Sequence, residues 1–96
     1  MATKQQRQNN TNMQDDMKAI YCNLLENIRV LSAKYEMYTN DLACATGMTR
    51  RTFILRKKSP WLFTLLELEM LAAVFHTDVS TLLFGEVKPV RKEGRG

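Results

Sequence analysis

The stretch Thr39–Lys58, TNDLACATGMTRRTFILRKK, constrains the fold more than any other part of the chain. It reads as two short helices hinged at Gly47. Thr39 or Asn40 can cap the first, because their side-chain oxygens accept backbone N–H groups that lack a partner at a helix start. Leu42, Ala43 and Ala45 can face inward, and Ala43 is small where two crossing helices would otherwise collide. Gly47 falls where the first helix must stop and the chain must turn, a position that often requires φ > 0. Met48 is an apolar plug in that turn. Thr49 can cap a second helix, whose first turn then carries Arg50 and Arg51.

The flanking segments supply the partners for this hinge. Met17, Ile20, Tyr21, Leu24, Leu25, Ile28, Leu31 and Tyr35 recur at spacings of three and four, a helical stripe. Asp15 and Asp16 place negative charge at the positive end of the dipole. The pattern predicts helices over about 15–36, about 40–46 and about 50–57. Ser59-Pro60 blocks continuation of the third, since the residue before proline is pushed out of the α region. Pro60-Trp61-Leu62-Phe63 is then an apolar loop. Thr64-Leu65-Leu66-Glu67 has capping-box spacing and predicts a fourth helix with Leu65, Leu68, Leu71, Ala72 and Phe75 on its inner face. His76-Thr77-Asp78 breaks it, His76 suiting the negative end of the dipole. Asp78 or Ser80 can cap a fifth helix that Gly85 ends. No repeat and no credible strand pair is visible. The expected architecture is an all-α, compact five-helix bundle over residues 15–85. It is preceded by a disordered Gln/Asn-rich tail at 1–14 and followed by a flexible basic tail at 86–96.

Ninety-six residues with a 45% hydrophobic share can support one small domain. The formal net charge is +4, and its distribution says more than its sum. Residues 39–63 carry Arg50, Arg51, Arg56, Lys57 and Lys58 against Asp41, whereas residues 64–85 carry only Glu67, Glu69 and Asp78. A basic patch beside an acidic body is an electrostatic footprint of nucleic-acid binding. Cys22 and Cys44 are expected to be small core fillers in a reducing cytoplasm, since the N-terminus has no apolar leader. Met13, Met17, Met37, Met48 and Met70 are expected to fill gaps. No apolar run is long enough to span a membrane. No Ser/His/Asp set, Gly-rich phosphate loop or metal-ligand spacing is present, so neither catalysis nor a cofactor or metal is expected.

Two short helices with a tight turn, the second opening on Thr-Arg-Arg, have the layout of a helix-turn-helix that offers its second helix to the DNA major groove. The chain resembles the phage-repressor and Cro type of DNA-binding domain, the XRE family, over about residues 24–85. The resemblance rests on Leu42, Ala43, Gly47, Met48 and Phe53, on the interval through Pro60 and Thr64, and on LEMLAAVFHTDVSTLLFG. It implies a phage-repressor-like bundle with the helix-turn-helix at helices 2 and 3. The chain departs from that pattern at several points. Arg56 stands where the family has an aliphatic residue, Ile54 and Leu55 where it has polar ones, and Ser59 where it has glycine. Trp61, Leu62 and Phe63 stand where its next loop is charged. Either the third helix is rotated or ends early, so that Leu55 fills the core, or Ile54 and Leu55 are exposed. Likewise Trp61 or Phe63 is either core under helix 1 or a dimer contact.

The candidate DNA-binding residues are Asn40, Thr49, Arg50, Arg51, Thr52, Lys57 and Lys58. Arg50 and Arg51 lie about 100° apart around a helix. One can bind guanine O6 and N7 while the other takes a phosphate. Thr49 and Thr52 can bond a base or phosphate or touch a thymine methyl. Asn40, at the start of helix 2, suits a phosphate. Lys57 and Lys58 suit the DNA backbone. The expected function is a sequence-specific transcriptional regulator, phage- or mobile-element-repressor-like, bound to double-stranded DNA as a homodimer on a palindromic site. The alternative is a protein-interaction module or antirepressor that docks through Ile54, Leu55 and Trp61–Phe63.

Overall fold

A computed structural model describes residues 2–87, with side chains from Asp15 onward. The elements are α1 (Ala2–Tyr35), α2 (Thr39–Ala45), α3 (Arg50–Lys58), a 3₁₀ turn (Pro60–Leu62), α4 (Leu65–Val74) and α5 (Val79–Phe84). Among the described residues the fold is all-α, five helices and no strand.

α1 begins well ahead of the expected start near Asp15. The backbone of residues 2–14, read from composition as a disordered tail, continues the helix. Gln, Arg and Lys are good helix formers, and propagation from a formed helix costs far less than nucleation. The basic C-terminal tail expected at 86–96 lies outside the described residues from 88 onward. Glu86 and Val87 carry no regular structure.

The core is formed by Leu24, Ile28 and Leu31 of α1, Leu42 and Ala43 of α2, Phe53 of α3, Leu68, Leu71 and Ala72 of α4 and Leu82 of α5, with Phe63 after the 3₁₀ turn and Phe75 at the end of α4. Met37 and Met48 pack against it from the turns. Several sequence expectations are corrected here. Leu65, in the first turn of α4 ahead of the buried stripe, is 64% exposed rather than inward. Met17 is exposed rather than a gap-filler. Cys22 and Cys44 are exposed free thiols rather than core fillers. Each is two residues from a buried leucine, Leu24 or Leu42, hence about 200° around the helix from the core side.

One turn chemistry ends three helices. After α2, Gly47 takes φ 72°, Met48 N–H donates to Ala43 O at 2.8 Å, and Gly47 N–H donates to Cys44 O at 3.1 Å. This is the paired six-to-one and five-to-two pattern that satisfies terminal carbonyls. The same pattern follows α1, with Glu36 at φ 55° and bonds Met37→Ser32 and Glu36→Ala33. It recurs after α4, with His76 at φ 58° and bonds Thr77→Ala72 and His76→Ala73. The His76 ring meets Tyr35 edge-on at 5.5 Å, and Tyr35 stacks on Phe75 at 6.3 Å.

Helix starts are set by short polar side chains. Thr49 caps α3 and Asp78 caps α5 through Oδ1 to Thr81 N–H at 2.8 Å. Thr64 and Glu67 form a reciprocal box on α4, each side chain bonded to the other's backbone N–H at 3.0 Å. α2 differs from the expectation. Its cap residue is Tyr38, whose backbone N–H is bonded by Asp41 Oδ2 at 2.8 Å, so Thr39 and Asn40 lie within the first turn.

α5 is tied to α1 by two asparagines. Asn27 is 2% exposed and its Nδ2 donates to Leu82 O and Gly85 O, both at 3.0 Å, and to Thr81 O at 3.3 Å. Its Oδ1 accepts from Val87 N–H at 3.3 Å. One turn earlier, Asn23 Nδ2 donates to Leu83 O at 3.0 Å and Gly85 O at 2.8 Å. These bonds satisfy the carbonyls that a helix C-terminus leaves open. A Cβ on residue 85 would lie 2.8 Å from Thr81 O, so the close approach requires glycine.

Asn27→Ala is expected to lower stability by about 2 kcal/mol, since it leaves the buried Leu82 carbonyl and the Val87 N–H without their partner, and chemical denaturation measures this. At the left-handed positions unequal effects are expected. Gly47→Val destabilises by more than about 1 kcal/mol, although no atom lies within 4 Å of the added Cβ. His76→Gly changes stability by less than about 0.5 kcal/mol, because relief of left-handed strain is offset by added chain entropy and by loss of the edge-on contact with Tyr35.

Candidate nucleic-acid interface

α3 is fixed in rotation by Phe53, which is fully buried and meets Phe63 edge-on with ring centroids 6.1 Å apart. The helix is not turned to bury Leu55, which is 50% exposed, while Ile54 is half-buried. Three residues after Phe53, Arg56 occupies the side expected for an aliphatic residue. Its Nε lies 3.1 Å from Glu67 Oε1, on the first turn of α4. The pair is partly buried, so an ionic contact replaces an apolar one between α3 and α4.

Glu67 thus serves two helices. The same Oε1 accepts from Thr64 N–H at 3.0 Å. Burial pushes its carboxyl up, but the Arg56 hydrogen bond and charge and the Thr64 bonds outweigh that and hold it below the usual carboxylate value.

The remaining basic residues of α3 form two lines. Residues seven apart fall within about 20° of one another around a helix. Arg50 and Lys57 therefore share one side, and Arg51 and Lys58 share another about 100° away, with Ile54 between. Arg50, Arg51 and Lys58 are exposed. Among the described residues the ion pairs are Arg29–Glu26 and Arg56–Glu67, so these four cations have no carboxylate within 4.0 Å. Lys57 does not extend outward with Lys58. Its Nζ lies 5.6 Å from the Phe53 ring centroid, and its side chain lines a cleft of about 460 Å³ between α1 and α2 with Arg29, Tyr38 and Thr39.

The other sequence candidates are placed as follows. Thr49 Oγ1 accepts from Thr52 N–H at 3.1 Å and donates to Thr52 Oγ1 at 3.0 Å. Its first role is the cap, and Thr52 is half-buried beside it. Asn40 is exposed in the first turn of α2, not at its cap. The Trp61–Phe63 segment divides: Phe63 enters the core, whereas Trp61 and Leu62 are exposed. Trp61 lies on α1, 6.0 Å from the Tyr21 ring. The Arg56–Glu67 pair and the Lys57 cleft were missed in the sequence. An i, i+11 charge pair carries no local signal, though an arginine at an expected core position pointed to a buried acid.

Compared with family models, curated proteins and solved structures, the chain finds no match. No helix among the described residues is long and apolar enough to cross a membrane.

The lowered Glu67 carboxyl has a definite pH sign. Its stabilisation is fully present above its ordinary value of 4.5 and is lost as pH falls through the depressed folded value. Thermal unfolding followed into acid should show Glu67→Gln losing less stability than the parent over that window.

Proposed function

We propose that this chain is a sequence-specific regulator that binds double-stranded DNA, with α3 in the major groove. The observation that carries this reading is the set of cations on α3 that have no acidic partner among the described residues once Arg56 is paired with Glu67. The two basic lines diverge by about 100°, which suits the two phosphate walls that flank a major groove. One of Arg50 and Arg51 reads a guanine and the other holds a phosphate. Ile54, between the lines, suits a thymine methyl. Lys58 and Asn40 take backbone contacts, and Lys57 joins them only by leaving its cleft. The likeness of the Thr39–Lys58 segment to repressor and Cro helix-turn-helix units supports the same reading, as does the basic balance of residues 39–63. A phage- or mobile-element-type repressor working inside a reducing cell fits the two exposed free thiols.

A second reading, a protein-interaction module or antirepressor, is favoured by the exposure of Trp61, Leu62 and Leu55. Retention on random duplex DNA separates the two. A DNA binder is held at low salt and released as salt rises, because neutralised phosphates release counterions. An interaction module is not held at either salt.

Arg50→Ala with Arg51→Ala should abolish binding to a selected operator and reduce the salt slope by about 1 per arginine contacting phosphate, with helical content unchanged. Full-strength operator binding by the double variant would remove α3 as the reader.

A further inference from the structure

Between α1 and α2 the bundle holds a cleft of about 460 Å³, within the size range of small-molecule sites. Buried Ile28 and Leu42, together with Met37, make its floor apolar. Lys57 of α3 forms part of its wall, and Arg29 stands at its exposed rim. We propose that this cleft is a binding site for a small organic anion, a monocarboxylate carried on an apolar body.

Three observations support an anion there. The first is the balance of charge. Lys57 and Arg29 are the charged residues of the lining, and no carboxylate joins them. Glu26 is bonded to Arg29, and Asp41 takes the Tyr38 N–H, so neither answers Lys57. The second is the state of Lys57. Its side chain is half-buried, and its Nζ rests 5.6 Å from the Phe53 ring centroid without an acidic partner among the described residues. An ammonium drawn out of water is costly unless it is paired, and a charge-assisted bond to a carboxylate is stronger than contact with a phenyl face. The third is the pair of hydroxyls on Ser32 and Thr39, both half-buried in the same lining, which supply neutral donors.

The occupant's chemistry follows from this inventory. With Arg29 committed to Glu26, one cation is open, which matches a single negative charge rather than a phosphate dianion. The floor calls for an apolar body, since a bare inorganic ion would leave it facing water. Pockets of this kind use a few convergent polar groups to orient a ligand held by apolar contact. The site depends on the cleft alone and stands whether or not α3 meets DNA.

The probe is 2-naphthoate, with 2-naphthamide as its uncharged counterpart, titrated into the full chain without DNA and followed by nuclear magnetic resonance. The naphthoate should saturate with a Kd below about 1 mM, moving the Met37 methyl and the Ser32 and Thr39 amide signals. The naphthamide should bind about tenfold more weakly. Lys57→Gln should bring the naphthoate down to the naphthamide's affinity and leave naphthamide binding unchanged, a split that a merely structural loss would not give. Lys57→Arg, which keeps the charge, should keep the preference for naphthoate. Equal binding of the two probes would overturn the proposal, as would a Lys57→Gln variant that still prefers naphthoate. So would the absence of saturable binding, or shifts confined to the apolar groove bordered by Met17, Tyr21, Trp61 and Phe84.

Discussion

Everything on the outer surface of α3 depends on where Phe53 points. A nine-residue helix has little stability of its own, and this one is held in rotation by a buried ring packed edge-on against Phe63. Once that ring is inward, the 100° step of the helix decides the rest. Arg56 must approach α4, Arg50, Arg51 and Lys58 must face solvent, and Lys57 must border the α1–α2 cleft. The chain accommodates the first of these by answering a guanidinium with a carboxylate that is already capping α4.

The remainder of the bundle is organised by satisfying helix ends. Left-handed residues close α1, α2 and α4, while α5 is too short to close itself and takes its partners from Asn23 and Asn27. Orphan carbonyls inside a protein are costly, so the amide groups of α1 help fix the register of α5 beside the apolar packing. This places Phe84 beside Met17 and Tyr21 and so builds the apolar groove as a by-product of capping.

Features whose cause lies within a few residues were legible in the sequence. Thr49, Gly47, Asp78 and the Thr64–Glu67 box act over three or four positions, and each is found where residue chemistry placed it. Phe53 and the α4 stripe followed from helical periodicity. Features that join distant segments were not legible. Asn27 and Leu82 are 55 positions apart, Arg56 and Glu67 are 11 apart, and nothing local announces either contact. Glu36 and His76 were hidden for another reason: a left-handed turn is expected at glycine, and here tertiary packing imposes it on residues that resist it. The exposure of Cys22 and Cys44 shows the limit of composition, since a residue type that is commonly buried says little without its phase on the helix. For the basic face, the arginine pair was legible from position alone. The diversion of Lys57 toward an aromatic ring was not.

The two hydroxyls at the head of α3 lie 3.0 Å apart, and Thr49 Oγ1 also takes the Thr52 backbone N–H. One proton is shared between the oxygens and the other is free to turn outward. Either hydroxyl can supply the shared proton. A molecule meeting this end of the helix can therefore be offered a proton from Thr49 or from Thr52, and the exchange leaves the N–H bond that starts the helix untouched.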